Sequence, residues 1–206
     1  MAKAHYFRHL NIVNRHRFLV FCHCVSCGFF WRGLVHDLSK YEPAEFIKSA
    51  CYYQGTSSPV MAQRKAENLY SSICVHHTKK NRHHFEYWID IYRGDLLLHP
   101  MPYPYAVEYC CDVIAASQTY NGKSFRRNLP YDYFQARMDH YLMAKATKEF
   151  VLRFLKEYAE NGFRNLKRKT TRKWYSECLS RNPDVERVPV LSRENEEGNQ
   201  KSRPQA

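Results

Sequence analysis

Histidine and aspartate stand side by side at His36-Asp37, and Lys40 follows three residues on. A neutral imidazole nitrogen and a carboxylate oxygen can hold a divalent cation between them, and a nearby ammonium suits an anion bound to that cation, phosphate above all. Such a dipeptide is common by itself. Its weight here comes from further groups of the same kind: His16 upstream, His76-His77 and His83-His84 downstream, then Glu108 and Asp112. Mixed imidazole and carboxylate donors suit Mn, Fe, Co, Ni, Zn or Mg. Cys22, Cys24 and Cys27 form a C-x-C-x-x-C run, but no second pair follows at finger spacing, and positions two apart on a helix point to different sides. These three, with Cys51, Cys74, Cys110, Cys111 and Cys178, read as small core thiols of a reducing compartment.

The expected roles follow from the chemistry. A bound metal lowers the pKa of water and neutralises charge on a phosphoryl oxygen. Lys40 would hold the phosphate as a point charge, although a lysine at a helix end is also simply solvated. Glu108 lies four residues before Asp112, hence on the same helix face, where it can orient a ligand histidine or accept a proton from the water. His77, His83 and His84 are candidates for a second metal or for the phosphate itself. Lys79, Lys80 and Arg82 also make this stretch a plausible basic surface turn.

These groups need helices to carry them. Seven glycines, no Asn-Gly hairpin between alternating strands, and long runs with three-and-four apolar spacing predict an all-helical domain. The first helix is expected from about His5 to Phe29. His9, His16 and His23 recur on it every seven residues, so one of them can face a site while the others sit a turn or two away. A short helix over Trp31 to Ser39 follows, then one opening at Pro43 and stopping near Gly55. Ser57 or Ser58 should cap a helix running from Pro59 through Ala62, Ala66, Leu69, Ile73 and Val75 to the histidines. Phe85, Trp88, Ile89 and Tyr92 mark a short amphipathic helix ended by Gly94, and the helix bearing Glu108 and Asp112 is expected from Tyr105 to Tyr120. Two more lie within residues 130 to 161.

The chain has 206 residues and a net charge of +12, with 21 Lys and Arg against 14 Asp and Glu up to residue 163 and 11 against 6 beyond it. That basicity favours phosphate-bearing partners, nucleotide or nucleic acid, without choosing among them. The expected organisation is a helical domain over residues 1–163 and a basic extension over 164–206, largely disordered. A helix around Arg172 to Leu179 is the candidate for packing back on the domain. No stretch approaches twenty apolar residues, and the Phe18 to Trp31 window contains His23 and no small-residue cleavage site, which predicts a buried helix of a cytoplasmic protein rather than a leader or membrane span.

With the residues in this order the sequence resembles the HD-domain metal-dependent phosphohydrolases, whose H…HD…D pattern would fall on His16, His36, Asp37 and Asp112. More narrowly, G-L-V-H-D-L-S-K-Y-E-P-A-E-F, then H-H-x-x-x-N-R-H-H-F-E-Y-W, then E-x-x-x-D, resemble a family of uncharacterised bacterial and phage proteins, over about residues 8 to 160. The first resemblance implies an HD-like helical bundle, a divalent metal on those four side chains, and hydrolysis of a nucleotide or other phosphate ester. Two-metal relatives carry an extended H…HD…H…HH…D pattern. Six residues separate His77 from His84, closer than in those relatives, so one metal is the primary expectation and two the extension of it. A non-catalytic nucleic-acid-binding protein using Arg164 to Lys173, and an oxidative enzyme with paired iron, are the competing expectations.

Overall fold

The computed structural model describes residues 5–55 and 57–190. The described residues form nine α-helices and one small antiparallel sheet, so the all-helical expectation holds for the bulk of the chain. The helices are α1 Tyr6–Ser26, α2 Phe30–Val35, α3 Pro43–Cys51, α4 Pro59–Ala66, α5 Ser72–Lys80, α6 Tyr103–Asn121, α7 Leu129–Gln135, α8 Lys145–Asn161 and α9 Arg168–Arg181. None of the described helices is long and apolar enough to cross a membrane.

The core lies between α1, α6 and α8. Val20, Cys24 and Cys27 from α1 meet Val107, Cys110, Cys111, Ile114 and Ala115 from α6, with Phe150, Phe154 and Leu155 of α8 closing the other side. Small side chains at the α1–α6 contact let the two helices approach closely, which accounts for the density of cysteines there. All eight cysteines are free thiols, and five of them are buried. Glycine does the same for α2: a β-carbon at Gly33 would sit 2.8 Å from the Phe21 Cα and 2.9 Å from the Cys24 Cβ.

Three local expectations are corrected. The helix foreseen from Pro59 to the histidines is two helices, because Asn68 and Leu69 take positive φ between α4 and α5, and Ser71 caps the second by accepting from the Cys74 amide. Residues Phe85–Trp88 form a single 3₁₀ turn, and the chain then becomes strand β1, Ile89–Tyr92, paired antiparallel with β2, Asp95–Leu98. Arg93 and Gly94, at φ 50° and 81°, make the two-residue hairpin turn, a conformation that Asn-Gly usually announces and Arg-Gly does not.

Of the extension over 164–206, expected to be largely disordered apart from a helix around Arg172 to Leu179 packing back, residues 164–190 are folded onto the domain, that helix among them. Helix α9 packs along α8, and its Thr171 and Tyr175 are buried. The Tyr103 hydroxyl bonds to the Thr171 hydroxyl at 2.8 Å and donates to the Arg168 carbonyl at 2.8 Å. Strand β3, Glu186–Pro189, then adds to β2, giving the order β1-β2-β3. Residues 191–206, the rest of that extension, lie outside the described residues.

Replacing Gly33 by alanine drives a methyl group into the backbone of α1, so Gly33→Ala should lower stability by about 1–3 kcal/mol. Urea denaturation of the two proteins measures this, and equal midpoints would contradict the close α1–α2 contact.

Candidate metal centre

The site begins at a break in the chain. Helix α2 ends at Val35, His36 is extended at φ −52° and ψ 131°, and Asp37 is left-handed at φ 54° and ψ 31°. Aspartate tolerates that region better than most non-glycine residues. Neighbouring side chains on a continuous helix diverge by about 100°. Here the break lets His36 Nε2 and Asp37 Oδ2 approach to 3.3 Å, both side chains buried. Arg17 of α1 fastens the turn, donating from Nε to the His36 carbonyl at 2.7 Å, from Nη2 to the Leu34 carbonyl at 3.0 Å and from Nη1 to the Tyr41 hydroxyl at 2.9 Å. It thereby satisfies carbonyls that the end of α2 leaves open.

Around this turn the structure gathers two sets of donors. In the first, His16 Nε2 lies 3.0 Å from Asp112 Oδ1 and 3.8 Å from Asp37 Oδ2, and His36 Nε2 lies 3.9 Å from Asp112 Oδ1. In the second, His77 Nε2 and His83 Nε2 lie 3.3 Å and 3.4 Å from Asp37 Oδ1, with His84 close enough to join them. Asp37 thus presents one oxygen to each set. His36 Nε2, His83 Nε2, His84 Nε2 and Asp37 Oδ1 are buried without a hydrogen-bond partner. Unsatisfied buried polar atoms cost about 1–3 kcal/mol each, so four at one place form an arrangement that cations would repair. The buried cluster has the donor set and spacing to hold metal.

An outer ring fixes the imidazoles. Glu108 Oε1 lies 3.0 Å from His36 Nδ1 and 3.2 Å from His83 Nδ1, while Arg32 Nη1 is 3.5 Å from Glu108 Oε2. Glu45 Oε1 lies 2.9 Å from His77 Nδ1, and its Oε2 accepts from Ser39 at 3.1 Å, whose oxygen accepts in turn from Asn81 at 2.8 Å. With Nδ1–H given to a carboxylate, Nε2 of all three rings faces Asp37 and, once deprotonated, offers its lone pair to a cation. Lys40 Nζ stands 3.3 Å from Asp37 Oδ2 and 3.8 Å from Glu45 Oε1.

Charge in this cluster is strongly mutual. Burial opposes ionisation of His36, but the carboxylates of Asp37, Glu108 and Asp112 outweigh it and hold its imidazolium well above the usual range. Burial likewise opposes the Asp37 carboxylate, and the charges of His36, Lys40 and His77 overcome it, so that its pKa falls well below the ordinary value. Glu45 and Glu108 are drawn down to about 2 against burial, by hydrogen bonds from His77 and from His36 respectively. His83 and His84 go the other way, kept neutral by burial and by the neighbouring imidazoles.

The residues singled out for the site in the sequence sit at one place, His16, His36, Asp37, Lys40, His77, His83, His84, Glu108 and Asp112, while His76 turns away to Glu42 and Glu45, at 3.1 Å and 3.2 Å. The short spacing of His77 and His84 does not separate a second set of donors. Helix α5 ends at Lys80, the chain reverses, and the rings of His77 and His84 come to 4.7 Å. His9 and His23 stand outside it, His9 against Phe46 and Tyr53 and His23 bonded to Gln118 at 2.8 Å. Glu45 was missed as a site residue. In sequence it is one more acid in the first turn of a helix, and only the fold shows it buried against His77. Beside the cluster lies a cavity of about 420 Å³, reached by Asp37, His16, His77, His84, Asp112 and Lys40.

The depressed carboxylates set the acid stability of the metal-free protein. A carboxylate at about 2 in the fold and at 4.5 in the unfolded chain stabilises above pH 4.5, and that contribution is lost as pH falls toward 2. Glu45 and Glu108 should each contribute on the order of 3 kcal/mol at neutral pH. Glu108→Gln should flatten the dependence of the urea midpoint on pH between 4.5 and 2, and an unchanged slope would contradict the ion pairing. Comparison with curated proteins and with solved structures gives no match. A family model, described as a family of unknown function (DUF5662), matches residues 5–157, which include every residue of the cluster. The chain belongs to the DUF5662 family.

Proposed function

We propose that this protein is a metal-dependent phosphohydrolase of the HD-domain kind, acting on a nucleotide or another phosphate ester, with two divalent ions held by the paired donor sets. The observation that carries this reading is the buried Asp37 carboxylate, with one oxygen toward His16 and His36 and the other toward His77 and His83. Asp112 would complete the first set and His84 the second. Ions bound there would lower the pKa of a water and offset charge developing on a phosphoryl oxygen.

The remaining groups divide the other tasks. Lys40 lines the cavity beside the cluster and supplies a fixed positive charge for a phosphate oxygen. Of the two roles open to Glu108, orienting histidines fits better than taking a proton from water, since one of its oxygens faces His36 and His83 and the other faces Arg32. It is a positioning residue. Glu45 does the same for His77.

A second reading, binding to nucleic acid, draws on the first half of α9 and the turn before it. Arg164, Lys167, Arg168, Lys169 and Arg172 are exposed and make no ion pair among the described residues. Binding of duplex or single-stranded nucleic acid that weakens steeply with salt and is indifferent to metal removal would favour this role.

Two measurements test the hydrolase reading. Elemental analysis of the metal-loaded protein should give about two ions per chain, and Asp37→Ala should remove them while leaving the helical circular dichroism intact. Phosphate release from a panel of esters should fall by at least about a hundredfold in the same variant. Iron in place of other metals, with no phosphate released from any ester, would favour oxidative chemistry instead. Metal loading near pH 7 should also release protons, because the carboxylates around His36 and His77 favour their protonated forms in the metal-free cluster. Calorimetry in buffers of different ionisation enthalpy counts them, and no release would contradict ligation by those two rings.

A further inference from the structure

The cavity beside the cluster carries information about the body of the substrate. Beyond the ligand residues its lining is mainly apolar, with Ile12, Val60, Met61, Ile73 and Ala116, and it also carries the hydroxyls of Ser49, Ser57, Ser58 and Thr78 and the ring of His9. Three phenol rings, Tyr53, Tyr120 and Tyr133, add flat apolar area with a polar tip. Ala116 and Tyr120 continue the α6 face that begins at Asp112, one and two turns further on, so the apolar wall grows directly out of the ligand face.

The fixed charges lining this cavity are mostly of the wrong sign for a polyphosphate: Asp37, Glu45, Glu86 and Asp112 against Lys40. Lys40 is the one lysine or arginine among the described residues that line it, and its ammonium already lies 3.3 Å from Asp37 Oδ2 and 3.8 Å from Glu45 Oε1. Glu86 adds a carboxyl to the lining. A single phosphate can reach the ions and Lys40 together. A second or third phosphate would extend among apolar side chains, hydroxyls and acids with no further lysine or arginine to meet it, at the cost of burying uncompensated charge.

Resting on the hydrolase reading above, we propose that the substrate is a phosphate monoester of an aromatic or aliphatic alcohol: one phosphate at the metal centre, the carbon body against Met61, Val60 and the tyrosines, and no polyphosphate chain. The water oxygen bonds to phosphorus as the ester P–O bond breaks, and the alcohol leaves with the proton that the water gives up. The apolar body provides affinity, and the single cation restricts the charge the site accepts.

Binding and turnover separate this inference from the reading it rests on. With metal-loaded protein, 1-naphthyl phosphate should bind at least about tenfold more tightly than ADP or inorganic phosphate in isothermal titration. Met61 is half exposed, so its replacement should leave the fold intact. Met61→Ser should weaken 1-naphthyl phosphate by about tenfold or more and leave inorganic phosphate unchanged, whereas Met61→Lys, by adding a cation, should narrow the gap to ADP. ADP binding as tightly as the naphthyl ester, or both variants behaving like the parent, would overturn the inference whether or not the esters are hydrolysed. Selective binding of the naphthyl ester with no phosphate release would support the inference about the pocket and overturn the hydrolase reading alone.

Discussion

One carboxylate, that of Asp37, is buried where four imidazoles converge, and the surrounding structure is arranged to keep it charged. An isolated buried carboxylate would take up a proton rather than bear the loss of water. Here Lys40 stands 3.3 Å away, and His36 and His77 favour their cationic forms, so the negative charge is matched from several sides. The price is local. Atoms on His36, His83, His84 and Asp37 itself have no hydrogen-bond partner in the protein, an arrangement that a shared ligand relieves.

Holding these groups together falls to residues that take no part in the centre. Arg17 satisfies the open end of α2 and so fixes the angle at which His36 and Asp37 enter. Glu108 and Glu45 turn the imidazoles so that Nε2 faces inward, and Arg32 and Asn81 stand behind them. Farther out, small thiols and alanine between α1 and α6 bring His16 on one helix within 3.0 Å of Asp112 on the other. A bulkier residue at that contact would separate the helices and with them the ligands.

Much of this was legible from residue type and spacing. His36-Asp37, the histidine pairs and the Glu108–Asp112 face stand out because such side chains are costly to bury without a common purpose, and the family resemblance put His16 in the same set. Glu45 was hidden because a first-turn glutamate already has a local reason to be there, its favourable position on the helix dipole. The possibility of two donor sets was obscured by the shortness of the 78–82 segment, whose reversal depends on the end of α5 rather than on chain length. The hairpin was missed because Phe85, Trp88, Ile89 and Tyr92 fit a helical spacing, while its turn uses Arg93-Gly94. Helix α9 reads as basic and polar, and it packs through Thr171, Tyr175 and Cys178, too thin an apolar stripe to declare itself.

In the proposed centre Asp37 lies between two metal ions. Crystals of the protein loaded with manganese, measured near an absorption edge of that metal, test it most directly. Two anomalous peaks on either side of the Asp37 carboxylate, about 3.5–4 Å apart, one beside His16, His36 and Asp112 and the other beside His77, His83 and His84, are the predicted result. No peak in the cluster, or manganese bound only on the surface while the four orphaned atoms hold water, would contradict it.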